Sequence, residues 1–243
     1  MILYKIDLLV YLLWGRNNLQ IRSFYKNHIF IVGIIFYLLI YHVVPLIERL
    51  IIFPTFHLSL FHGTMGWVVY SGIDIIFLYF LIQQYSQHDN IFEIPKIKAL
   101  AITGIGYISY SLFIKYMLPL VLITSNQAVL NTAATNESTI AIYIQLFHVT
   151  LIGPLLEELL FRGLLIERTG SKLICGLTLL IASLLFGSIH MSYGYATLPF
   201  IYYTGIGLIL SLVYCATKSL QYPIMIHITI NVLANWEALT IYF

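Results

Sequence analysis

Seven apolar stretches follow one another along the chain, at about 28–47, 66–85, 100–123, 139–167, 173–190, 198–217 and 222–241. A helix needs about 20 apolar residues to cross the hydrocarbon core of a bilayer, and each stretch is close to that length. In lipid every backbone N–H and C=O has to be satisfied inside the protein, which leaves little choice but helix for runs of this kind. The expected fold class is therefore all-α, a polytopic transmembrane helical bundle of seven to eight membrane helices. Composition agrees. Of 243 residues 60% are hydrophobic and 9% charged, where a soluble domain carries about 25% charged residues. The mean hydropathy is +0.91.

Basic residues sit at the ends of the runs and orient them. Arg16, Arg22 and Lys26 precede the first run, Lys96 and Lys98 lie in the polar linker before the third, and Arg168, Lys172 and Lys218 flank the turns after the fourth and sixth. The positive-inside bias puts these turns in the cytoplasm. The uncharged 191–197 turn and the Asn- and Thr-rich 124–138 loop then fall outside. Seven spans give an N-terminus in and a C-terminus out. Residues 1–14 are apolar but interrupted by Lys5 and Asp7, and no small-residue cleavage site follows, so they read as an interfacial helix and not as a leader. If they cross as well, there are eight spans and the N-terminus flips. Three regions result: an N-terminal interfacial segment, 1–27; N-terminal transmembrane helices, 28–123; and a core, 124–243. A formal charge of +2, with no basic cluster, argues against a nucleic-acid partner. Cys175 and Cys215 stand singly in apolar runs without metal-ligand spacing and read as lipid- or core-facing residues.

Against this background the run Gly153-Pro154-Leu155-Leu156-Glu157-Glu158-Leu159-Leu160-Phe161-Arg162-Gly163 stands apart. Each ion at membrane depth costs a few kcal/mol or more, so three together call for partners and for a function. Glu158 and Arg162 are i and i+4 on one helical face and can pair. Glu157 lies about 100° round the axis and faces a different neighbour. A carboxylate in apolar surroundings serves as a base, while one beside a guanidinium stays ionised, so two glutamates and one arginine permit a division of labour. Gly153 and Pro154 loosen the helix just before the pair. Two later runs repeat the oddity, Phe186-Gly-Ser-Ile-His190 and His227-Ile-Thr-Ile-Asn231.

Glu-Glu-x-x-x-Arg, Phe-x-x-x-His and His-x-x-x-Asn, on three separate apolar helices and in that order, resemble the CAAX-protease and bacteriocin-processing family of intramembrane proteases, also called CPBP or Abi. The resemblance covers about 139–235, with Asn126-Gln127 as a weaker echo upstream. It implies an eight-helix architecture, a catalytic core at 124–243 and hydrolysis of a peptide bond by activated water without a covalent intermediate. By that resemblance Glu157 is the base, Glu158 the partner of Arg162, His190 a holder of the attacking water with Glu157, and His227 with Asn231 the donors to the oxyanion. The expected partners are a membrane-associated peptide or protein tail and the lipid bilayer. Richness in Ile, Tyr, Asn and Lys suits an AT-rich genome and a bacterial cell membrane.

Other chemistries find less support. There is no His-Glu-x-x-His, only Asp74 lies deep in a span, Ser188 does not face His190, and no Gly-x-Ser-x-Gly occurs. The expectation is no cofactor; the alternative is zinc on Glu157, His190 and His227, against which Arg162 competes as a cation and Asn231 is a poor ligand. Two other functions use the same residues: a non-catalytic immunity or peptide-binding membrane protein, and a small transporter relaying protons. His28, His42, His57, His62, His88 and His148 read as interhelical hydrogen-bonding residues, Phe161 and Phe186 as packing of the site, and Asp74 as the partner of a polar group on a neighbouring helix or part of a substrate path. Helical rise from Lys172 and Lys218 sets Glu157, His190 and His227 at about 20, 27 and 12 Å depth. Tilt, a kink or a re-entrant piece has to bring them together.

Overall fold

The computed structural model describes residues 63–86, 91–121, 139–166, 171–191, 196–236 and 240. The expected first span, the 1–27 segment, the 124–138 loop, Arg168 and His28, His42, His57, His62 and His88 lie outside the described residues.

The described residues form a helical bundle. Its elements are α1 (Gly63–Ser86), α2 (Ile97–Val121), α3 (Thr139–Leu164), α4 (Lys172–Ile189), α5 (Thr197–Thr217) and α6 (Gln221–Ala234). By length and composition α2, α3, α4 and α5 suffice to cross a membrane. Their outward faces carry large apolar side chains such as Ile105, Ile108, Tyr116, Leu173 and Leu212, a surface that water would reject and lipid accepts. This is an integral membrane protein.

α4 and α5 form an antiparallel hairpin, α5 packs on α2, α1 lies along α3, and α6 is wedged between α3, α5 and α2. The hairpin is close because two glycines face backbone across it. A Cβ on Gly207 would stand 3.2 Å from Ser183 Cα and O, and one on Gly187 would meet Phe200 O and Thr204 N at 3.1 Å. Neither position has room for it. Ser171 caps α4, its Oγ accepting from Ile174 N at 3.3 Å. α5 ends on Lys218, in the left-handed region at φ 59°, a conformation that costs a non-glycine residue roughly 1–2 kcal/mol. That turn lets α6 start at once, with Leu220 and Tyr222 buried. The linker before α2 is strapped to the same place: Glu93 N donates to Gln221 Oε1 at 3.0 Å and Lys96 N to Tyr222 OH at 3.2 Å.

Two departures from the sequence expectation matter for the site. The seventh run is broken at Asn235: α6 ends at Ala234, the Asn235 side chain turns back with Nδ2 donating to Asn231 O, and Trp236 and Thr240 are helical again. Second, α3 is not a regular α-helix. It widens into π-turns at His148–Ile152 and at Leu159–Leu164, on either side of Gly153–Glu158. Asp74 of α1 does find a polar group on a neighbouring helix: its Oδ2 lies 2.6 Å from His148 Nε2, with both residues buried.

Candidate active site

The first π-turn has a chemical cause and a consequence. The N–H of Gly153 bonds to His148 O, five residues back, so it no longer serves Val149 O. The next N–H that a π-turn would offer Val149 O belongs to residue 154, which is proline and has none. A buried carbonyl without a donor costs about 1–3 kcal/mol. Asn231 of α6 supplies the donor, Nδ2 to Val149 O at 2.8 Å. Because a carbonyl only accepts, this bond also fixes which end of the amide points at α3. The Gly153-Pro154 step thus ties α6 to α3 one turn before the glutamates.

Glu158 and Arg162 are fully buried. Arg162 Nη1 donates to Glu158 Oε1 at 2.8 Å and Nη2 to Gly207 O at 3.0 Å, while Cζ lies 4.7 Å from the centre of the Phe186 ring. The α5 carbonyl that Arg162 reaches belongs to the same glycine that lets α4 pack closely on α5. Glu158 Oε1 also takes a hydrogen bond from His227 Nδ1, 2.8 Å away. A carboxylate oxygen accepts, so Nδ1 carries the proton and Nε2 of the neutral ring has the lone pair. That Nε2 lies 3.8 Å from Glu157 Oε2, too far for a direct hydrogen bond. The two glutamates are set apart by burial: the Glu157 side chain keeps 15% of its surface exposed and that of Glu158 none. Glu158 Oε2 and Arg162 Nε, both buried, have no hydrogen-bond partner among the described residues.

His190 caps the end of α4. Its Nδ1 is 2.8 Å from Phe186 O, which can only accept, leaving Nε2 as an acceptor. The ring stacks on Tyr203 of α5, centroids 4.0 Å apart, and lies within electrostatic range of Glu157, His227 and Arg162. Phe186 holds the assembly from below, edge to face with Phe161 at 5.6 Å, and at 4.7 and 6.0 Å from the His190 and His227 rings. Glu157, Glu158, Arg162 and His227 therefore meet directly, His190 joins through Phe186, and Asn231 sits one helical turn further along α6 on the π-turn. Among the described residues, no three His, Cys, Asp or Glu side chains are arranged to hold a metal ion.

Sequence reasoning did not find Tyr203, nor the carbonyls of Gly207 and Val149. Gly205-Ile-Gly207 inside an apolar run is a visible sign of close helix approach, and Pro154 a visible sign of an orphaned carbonyl. Nothing in the sequence singles out Tyr203 among the chain's tyrosines.

Residues 139–233 match the family described as Type II CAAX prenyl endopeptidase Rce1-like. The chain is similar to the "Putative membrane peptidase YdiL" of Bacillus subtilis, 29% identical over 101 residues, which is 42% of this chain and 40% of that protein. It is also similar to the "Membrane-embedded CAAX protease MroQ" of Staphylococcus aureus, 34% identical over 94 residues and 36% of each chain. The matched regions thus span about two fifths of those relatives. No solved structure gave a significant match. The family match contains all three motifs, and the comparisons bear out the resemblance read from them.

Proposed function

Taking the Rce1-like segment as the working part of the chain, we propose that the protein is an intramembrane endopeptidase that cuts a membrane-associated peptide or protein tail. The observation that carries this reading is the unequal treatment of two adjacent glutamates. Glu158 is sealed between Arg162 and His227, whereas Glu157 is partly open beside an imidazole nitrogen with a lone pair.

In this reading Glu157 is the general base. A water molecule donates one hydrogen to Glu157 and the other to His190 Nε2, which the Phe186 carbonyl keeps as an acceptor. As the water oxygen attacks the peptide carbonyl, Glu157 takes its proton. His227 Nε2, at 3.8 Å, receives that proton and becomes an imidazolium whose N–H faces the forming oxyanion, with Glu158 holding its other side. The second N–H of the Asn231 amide is the further donor. Collapse of the tetrahedral intermediate returns the proton to the leaving amine. The Asn231 amide is a donor held in place before charge develops, and His227 becomes one as the proton arrives; stabilisation of the oxyanion is usually the largest contribution such a site makes. Arg162 and Glu158 position His227 and touch no substrate. No step requires a metal.

The test is cleavage of candidate membrane peptides by detergent-purified protein, wild type against Glu157→Gln, with products identified by mass. Products from the wild type alone support the proposal. Saturable peptide binding without products from either, or equal products from both, would refute it.

A further inference from the structure

The chain has two cysteines, 40 residues apart, and the fold brings them together: Cys175 Sγ and Cys215 Sγ lie 3.7 Å from each other across the α4–α5 hairpin. Both are half-buried and neither is in a disulfide. Their meeting follows from the hairpin register. Gly187 faces Thr204 and Gly207 faces Ser183; equal further steps away from the connection bring residue 175 level with residue 215. The close backbone approach at the two glycines keeps the helices near enough for side chains as short as cysteine to touch. The pair lies within a turn of the hairpin's open end, where α4 begins at Lys172 and Lys218 caps α5. His190 is at the other end of α4.

We propose that Cys175 and Cys215 are a redox-modification site, a dithiol that closes to an intramolecular disulfide between α4 and α5. The oxidant is a low-molecular-weight disulfide. One protein thiolate attacks it, forms a mixed disulfide and releases one small thiol; the second protein thiolate then displaces the other half. The two cysteines lose two electrons and two protons, and the small disulfide gains both pairs as two thiols. The sulfurs have to close from contact to a bond of about 2.05 Å, which side-chain rotation and a slight approach of the helices supply. The closed form joins the helix that ends in His190 to the one that carries Tyr203 and Gly207.

The experiment equilibrates full-length protein in detergent with oxidised glutathione, quenches with acid, alkylates remaining thiols, and reads intact mass and peptide maps. The expected result is a monomer lighter than the reduced form by two hydrogen atoms. It resists alkylation, gives a cross-linked peptide pair containing both cysteines, and returns to two alkylated thiols after dithiothreitol. Cys175→Ser and Cys215→Ser each leave one cysteine alkylated or glutathione-bound. Two alkylated thiols in the oxidised wild type, glutathione on both cysteines, or a bond between two copies would overturn the proposal. The readout is mass, so its failure and that of the peptidase reading are distinguishable.

Discussion

Glu158 Oε1 accepts from Arg162 and from His227 at once, so its negative charge is committed on two sides inside a buried core. Removing Arg162 leaves that carboxylate with an imidazole alone, and breaking a buried pair costs about 3–5 kcal/mol. Arg162→Ala is therefore expected to lower both thermal stability in detergent and activity. Arg162→Lys recovers only part, because an ammonium cannot reach Glu158 and Gly207 O with a planar fork. Equal melting of wild type and Arg162→Ala would refute the pairing. Glu157→Gln keeps the shape of a partly open side chain and removes the base, so cleavage is expected to fall by about 100- to 10,000-fold with no change in melting temperature. The Glu158–Arg162 pair was legible because opposite charges at i, i+4 in an apolar run are each costly alone and adjacent on one face. The union of His227 with Glu158, and not with the oxyanion position alone, was not legible. It depends on how deep α6 sits, which no local pattern encodes.

The π-turns belong to the element scale, where Gly153 and Pro154 signalled a loosened helix without saying what would use it. Val149 O needs Asn231 because residue 154 has no N–H. Pro154→Ala restores a donor there, so the two substitutions are expected to be coupled. In the wild type, Asn231→Ala should cost about 1–3 kcal/mol, the cost of leaving a carbonyl without its donor, and much less when residue 154 is alanine. A double-mutant cycle on denaturation in detergent measures the difference; additivity within about 0.3 kcal/mol would discard the account. Helix limits for α2, α4 and α5 lie within a few residues of the apolar runs, since lipid forces helix wherever the run is long enough. The seventh run differs in being broken at Asn235, a polar residue in a run read as continuous, which turns its side chain back on the helix. Mean polarity does not reveal a cap.

For the molecule as a whole, the three motifs meet because α6 is wedged between α3, α5 and α2, and because α3 widens into π-turns on either side of Gly153–Glu158. Zinc on Glu157, His190 and His227 is the alternative to activation of water by Glu157 alone, and the Nδ1 bonds to Glu158 and Phe186 O leave Nε2 of both imidazoles clear for either role. Active protein is expected to contain no stoichiometric transition metal and to keep cleaving after chelation; elemental analysis beside activity is the check. One tightly bound zinc whose removal abolishes cleavage and whose return restores it would reverse the roles given to the histidines. The bundle class and its membrane placement were legible from the apolar runs, whereas the α4–α5 register that joins Cys175 to Cys215 was not, being set by two glycines on different helices. The Glu158–Arg162 pair also has a bearing on biogenesis. Gly207 follows Arg162 by 45 residues and His227 follows Glu158 by 69, so at about 5–20 residues per second either partner is made seconds after α3. Opposite charges one turn apart cancel within the segment itself, and the nascent helix can pass into lipid before its permanent neighbours exist.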